Sequence, residues 1–143
     1  MTHVAILTAD DLTQTVVATL QTFTLCALQP GDIIRKTAWY LRVPFQNTLD
    51  AAFNTTTVSM GDTAAVTTHL AAAEANLNGT EIIWRVGSVV VLYTAADILT
   101  VTFNSMAAKA LSSINRGELL LFFALERLKF VADAIASTVI AKT

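Results

Sequence analysis

Side chains that can ligate a metal, attack a substrate or shuttle a proton are few in this sequence and far apart. Cys26 is the single cysteine, and His3 and His69 are the two histidines. A metal centre needs several His, Cys or carboxylate groups converging on one point, and the spacing of these three suggests none. The histidines read as surface residues. Cys26 lies inside the apolar run Phe23-Thr24-Leu25-Cys26-Ala27-Leu28, which points to a buried structural thiol. A nucleophilic triad requires a serine or cysteine activated by a histidine that an acid orients, and His69 sits in an Ala-rich stretch with nothing beside it to mark it as a base. Carboxylate pairs could be drawn from Asp10, Asp11, Asp62, Glu74, Glu81 and Asp97. Most stand at turn sequences, where Asp caps backbone N–H groups. Gly61, Gly79, Gly87 and Gly117 are isolated turn glycines rather than a phosphate-cradling loop. No catalytic, cofactor-binding or metal residue is therefore nominated, no cofactor is implied, and the chain is not expected to be an enzyme.

Two binding chemistries need weighing. Aromatic faces stack on sugars, and Trp39, Tyr40, Trp84 and Tyr93 could supply a platform. Trp39 and Trp84 fall on the apolar faces of their segments, so core packing is the simpler reading, and Tyr40, facing away from Trp39, is the better exposed ring. Arg35, Lys36 and Arg42 share one region but are too few for a nucleic-acid footprint, and 9 Lys+Arg against 11 Asp+Glu give a net charge of -2. Arg127 and Lys129 read as a solvated strand end. The acceptor patterns Asn54-Thr55-Thr56 and Asn78-Gly79-Thr80 mark loops.

The elements that position these residues follow from composition and alternation. The chain has 143 residues, 54% hydrophobic, 8% aromatic and 14% charged. So apolar a composition excludes disorder, and this length fits one domain with a real core. Thr is about one residue in seven, which suits strands. No apolar run approaches the ~18 residues of a membrane helix, Leu119–Leu125 being the longest, and the first residues lack the basic start of a secretory signal. A soluble protein made inside the cell, not inserted in a membrane, is the expectation.

Trp39, Leu41, Val43 and Phe45 alternate with Tyr40, Arg42 and Pro44, the period of a strand with one buried face. Ile82–Val86 repeats the device, Gly87-Ser88 suggests a hairpin to Val89–Tyr93, and Leu99, Val101 and Phe103 form a third alternating run, completing a meander. Thr22–Leu28 meets the turn sequence Gln29-Pro30-Gly31-Asp32, which leads by a hairpin or corner into Asp32–Phe45. Val58 and Met60 make a short strand closed by Gly61-Asp62, and Glu118–Leu125 suits a strand covered on both faces. Residues 10–20 could hold a short helical turn or an irregular segment, and the Ala-rich piece 62–76 a short helix. From Leu128, the residues Val131, Ala132, Ile135 and Val139 continue at helical spacing, while Thr138-Val139-Ile140 favours strand. The fold class expected is all-β, an antiparallel two-sheet sandwich over residues 1–127 with short helical turns in its loops, and an arm or short helix over 128–143. Alternation places Trp39, Phe45, Trp84 and Phe103 in its core, each contributing about 1.5–3 kcal/mol, and Thr on many outward positions.

The order of segments resembles the small jelly-roll virion proteins of tailed bacteriophages. The likeness runs from Leu7-Thr8-Ala9-Asp10-Asp11-Leu12-Thr13 through Leu28-Gln29-Pro30-Gly31-Asp32 and Ala38–Phe45 to Val58–Asp62, Leu92–Asp97 and Ile114–Leu121. That group includes head decoration (cement) proteins and tail-associated ones. The resemblance implies a sandwich on the outer surface of an assembled capsid, commonly a homotrimer, bridging copies of the major capsid protein without catalysis. Alternatives are a tail- or fibre-associated virion module and a carbohydrate- or host-binding module that uses Tyr40. Ile98, Val90 and Leu92 fall opposite the expected core, so part of the apolar excess reads as surface covered in an assembly.

Overall fold

The computed structural model describes residues 1–50, 56–71, 83–87, 89–104 and 109–128. They form an all-β sandwich of two antiparallel sheets, with short 3-10 turns at Ala9–Asp11 and Leu111–Ser113. The strands are β1 (Thr2–Thr8), β2 (Gln21–Leu28), β3 (Asp32–Gln46), β4 (Thr57–Gly61), β5 (Ile83–Gly87), β6 (Val91–Leu92), β7 (Asp97–Asn104) and β8 (Arg116–Arg127). The larger sheet has the order β1-β8-β3-β5, with β6 also on β3, and the smaller has β2-β7-β4. First strand pairs with last and second with second-last, so the chain is a long hairpin rolled into two layers. That is the jelly-roll pattern.

The corner between β2 and β3 shows how sequence sets this path. Pro30 fixes φ, Gly31 adopts φ 91°, and the Asp32 N–H donates to the Gln29 carbonyl at 3.0 Å. These are the requirements of a type II turn. The Asp32 carboxylate accepts the Gln29 N–H at 2.8 Å and, though buried, is met by Arg127 through Nε at 2.7 Å and Nη2 at 3.0 Å. Arg127 is thus not simply a solvated strand end; it fastens β8 to this corner. The turn carries the chain from the small sheet to the large one, so it is a corner and not a hairpin.

The core lies between the sheets. Trp39, Leu41 and Phe45 of β3 and Leu119, Leu121 and Phe123 of β8 face Val58 and Met60 of β4 and Leu99, Val101 and Phe103 of β7. Leu12, Leu70, Leu111 and Ile114, all from connecting segments, close its margins.

Several sequence expectations fail here. Trp84 is 56% exposed and outside the core, because β5 pairs with β3 in the register Tyr40↔Trp84, and directly paired residues share a sheet face. β5 and β6 do not pair as the expected hairpin, and the described strands form no meander: β5 and β6 both run antiparallel to β3, Gly87 opposite Thr37 and Val91 opposite Ile34, while β7 belongs to the other sheet. Among the described residues β8 buries only one face, Leu120, Phe122 and Ala124 being half-buried on the other. Thr37, Thr56, Thr100 and Thr102 are buried, Thr100 and Thr102 even though their parity turns them away from the core residues Leu99, Val101 and Phe103. Cys26 is half-buried beside a bulge in β2, and burial, then the Asp32 charge, push its thiol up in pKa. Of the Ala-rich piece 62–76, residues 62–71 form turns and bends, and 72–76 lie outside the described residues. Glu74, Glu81, both acceptor asparagines Asn54 and Asn78, Lys129 and the arm from 129 to 143 lie outside the described residues.

Candidate functional site

The two outer faces of the sandwich are chemically opposite. On the small sheet, the register aligns exposed Thr22 with buried Thr102 and Ser59 in one cross-strand row and exposed Thr24 with buried Thr100 and Gly61 in the next. Hydroxyls pair within it, Thr22 Oγ1 lying 2.9 Å from Thr102 Oγ1. The large sheet presents rows of another kind. Val4, Phe122, Ala38 and Val86 stand side by side across β1, β8, β3 and β5, and Ile6, Leu120, Tyr40 and Trp84 form the adjacent row. Val4 is 53% exposed, Ile6 58% and Val86 66%.

Charge is confined to the ends of this band. The residues of β8 that point outward are Glu118, Leu120, Phe122, Ala124 and Glu126, carboxylates outside and hydrocarbon between. Arg42 Nη1 donates to Glu118 at 2.9 Å, and Arg35 pairs with Glu126 at the opposite end. An apolar centre with paired charges at its rim is the anatomy of a protein interface. Two of the three basic residues noted in the sequence are therefore engaged by carboxylates of the same sheet.

Aromatic rings give the band its relief. Tyr40 and Trp84 stack with centroids 4.5 Å apart at 27°, and Trp84 stacks on Phe122 at 5.6 Å and 30°. Beside them, Thr2, Lys36, Ala38, Val86, Phe122 and Ala124 surround a shallow hollow of about 310 Å³. Tyr40 faces away from Trp39 as its parity predicts; Trp84 joins it, which sequence alone misplaced. The contribution of β1 and β8 to this face was also missed, because a strand apolar on both sides gives no parity signal.

A second cluster lies at one end of the sandwich. His69 is buried, not a surface residue. Its Nε2 lies 2.7 Å from the Tyr93 hydroxyl, which donates to Asp62 Oδ2 at 3.0 Å. Since the hydroxyl proton goes to the carboxylate, Nε2–H must be the donor to the Tyr93 oxygen, and the other ring nitrogen, Nδ1, is buried without a partner among the described residues. Asp62 Oδ1 accepts the Ala64 and Ala65 N–H groups and the Thr68 hydroxyl, each at 3.0 Å. The backbone of Tyr93 bonds Gly31 and Asp32 at 2.8 Å. The cluster ties the loop after β4 to the end of β6 and the β2–β3 corner, and its geometry is that of a clamp: the carboxylate meets the hydroxyl and the loop, not the imidazole. Turn capping holds equally at Asp11, which accepts from Thr8, and at Asp97, which accepts from Thr63. His3 stacks on Phe123 at 5.0 Å, remote in register from this cluster. Among the described residues no three His, Cys, Asp or Glu side chains converge as metal ligands, and no helix is long and apolar enough to cross a membrane.

The clamp sets a pH dependence. Burial lowers the pKa of His69, only partly opposed by the Asp62 charge. Burial raises that of Asp62, but hydrogen bonds from Ala65, Tyr93, Thr68 and Ala64 outweigh it and hold the carboxyl below its ordinary range. Both groups bind protons more readily unfolded, so stability falls as pH falls. The loss begins below the ordinary histidine value of 6.5 and steepens below the ordinary aspartate value of 3.8. A urea midpoint that declines between pH 7 and 5 in the native chain and stays level in His69→Gln is the expected result; a level native midpoint contradicts it.

No family model and no curated protein matches the chain. Among solved structures, it is similar to a chain of the cyanophage Pam1 capsid asymmetric unit, with a TM-score of 0.60 and 16% identity over 87% of this chain and 82% of that one. It is also similar to a chain of the acidic stable capsid structure of Helicobacter pylori bacteriophage KHP30, with a TM-score of 0.53 and 14% identity over 89% of this chain and 87% of that one. At these identities the likeness establishes the shared fold.

Proposed function

We propose that this chain is a structural component of a bacteriophage virion, and within the virion a decoration (cement) protein that binds the outer capsid surface. The observation that carries the reading is the apolar outer face of the large sheet, rimmed by the Arg42–Glu118 and Arg35–Glu126 pairs on a sandwich whose fold recurs in chains of two phage capsids. A solitary soluble domain rarely leaves a contiguous apolar face open to water. Assembly with neighbours removes that cost, which fits a protein made as a soluble chain in the host cytoplasm and used in bulk on a particle.

The mechanism is interfacial, and no bond is made or broken. Each copy would bury roughly 1,200–2,000 Å² against its neighbours, and a homotrimer multiplies a modest single-site affinity for the major capsid protein through repeated contacts. Bridging adjacent capsid subunits then opposes their separation. Purified protein added to heads that lack it is expected to co-sediment with them and raise their melting temperature. Heads that melt identically with and without it overturn the cementing role, and antibody labelling that falls on the tail replaces it with a tail-associated role.

A further inference from the structure

Fifteen residues, Lys129 to Thr143, follow the described part of β8. Their point of departure is fixed: Arg127 is held by Asp32, and the Leu128 N–H donates to the Gly31 carbonyl at 2.9 Å. In sequence, Leu128, Val131, Ala132, Ile135 and Val139 fall at i, i+3, i+4, i+7 and i+11, one stripe on a helical period of 3.6. A helix carrying the stripe from Leu128 to Val139 would span about 18 Å at 1.5 Å per residue, enough to cross four strands spaced about 4.8 Å apart. The large sheet presents four such strands whose apolar outer face exposes Val4, Ile6, Trp84 and Val86, and its hollow, bounded by Thr2, Lys36 and Ala124, is at the end from which β8 leads into the segment.

We infer that this face is the docking site for the segment 129–143 of a second copy of the chain, so that copies are joined by exchanged arms. The choice of a second copy over the arm's own sheet rests on turn chemistry. To lie on its own sheet the chain must reverse direction directly after Leu128, yet the apolar stripe begins at Leu128 itself and residues 128–132 contain none of Gly, Pro, Asn, Asp or Ser, the residues that most readily build a tight reversal. A chain that continues away from its own sheet meets an equivalent face only on a neighbour. The Val4–Phe122–Ala38–Val86 and Ile6–Leu120–Tyr40–Trp84 rows would receive the stripe, as a helix covers a sheet in a layered domain. Exchange of an identical element between protomers is a low-cost route to closed oligomers.

This inference rests on the reading of the face as an assembly surface, but its test needs no capsid. Sedimentation of the full chain at micromolar concentration is expected to give an oligomer, whereas truncation after Leu128 and the double variant Trp84→Glu, Val86→Glu should each give a monomer. The decisive measurement mixes the two. The truncated chain keeps a receptive face and the double variant keeps its arm, so together they should form a complex of twice the protomer mass that neither forms alone. Cooperative thermal unfolding of each variant controls for folding. A monomeric full chain, a truncated chain that stays oligomeric, or a mixture that stays monomeric overturns exchange. In the last case, protection of Trp84 from an added quencher in the full chain but not in the truncated one would assign the arm to its own sheet. Loss of head binding with oligomers intact would overturn the decoration role and leave arm exchange standing.

Discussion

Replacing Phe103 with alanine is expected to cost about 3–5 kcal/mol, the range for deleting a fully buried phenylalanine. The residue joins the two sheets. It sits on β7, the central strand of the small sheet, meets Phe23 of β2 edge-on at 5.9 Å and 81°, and reaches across the core to Phe45 of β3 at 5.3 Å. Removing the ring opens a cavity that the paired strands β2 and β4 cannot close by shifting, because their register on β7 is fixed at Phe23↔Val101 and Val58↔Phe103. For a domain of this size, such a loss corresponds to a fall in melting temperature of roughly 10–15 °C. Phe122→Ala is the matched control. The same residue type on the outer face of β8 is only half-buried, and its truncation in the isolated sandwich should cost well under half as much. Calorimetry of the two variants separates the faces, and equal losses would contradict the assignment of inside and outside.

Asp62→Ala is expected to be the next most damaging change, at about 2–4 kcal/mol. Four donors converge on this carboxylate: two backbone N–H groups, the Thr68 hydroxyl and the Tyr93 hydroxyl. A hydrogen bond to a charged group contributes about 1.5–3 kcal/mol, and a buried donor left without a partner costs about 1–3. The contributions do not add, because water admitted to the loop will satisfy some donors. The damage should also be local. Proton exchange at the His69 and Leu70 amides, which bond the Met60 carbonyl at 2.9 and 3.0 Å, should accelerate far more than exchange in the β1–β8 ladder. Uniform acceleration in both places would mean that the loop is not a separately opening unit. Tyr93→Phe gives the intermediate case: it removes one donor to Asp62 and leaves the His69 Nε2–H without its acceptor.

Much of the architecture is legible in the chain itself. The alternation of Trp39, Leu41 and Phe45, and of Leu99, Val101 and Phe103, predicts their burial correctly, because each strand has apolar and polar residues on opposite parities and water sorts them. The Pro30-Gly31 turn is legible for a different reason: its backbone requirements are local and only certain residues meet them. Capping aspartates follow the same logic at Asp11, Asp62 and Asp97, unlike Gly61, Gly87 and Gly117, which lie within β4, β5 and β8 and not in the turns expected of them. What these features share is that the deciding energy lies within a few residues.

The functional surface is different in kind. In β8 both parities are apolar between its terminal charges, so periodicity has no preference to report; in β5 the alternation of Trp84 and Val86 with Arg85 pointed the apolar parity inward, and it was the register of β5 on β3 that carried Trp84 onto Tyr40 and away from the core. Register and strand order depend on partners distant in sequence, and so does the burial of His69, which is drawn inward by Tyr93 and Asp62 rather than by its Ala-rich neighbours. The sequence by itself determined an all-β sandwich with its main turns and most of its core, since local alternation and turn geometry suffice for these. Only the tertiary structure decided that one outer face is hydroxylated and the other apolar, because a face is made by strands that meet after the chain has folded.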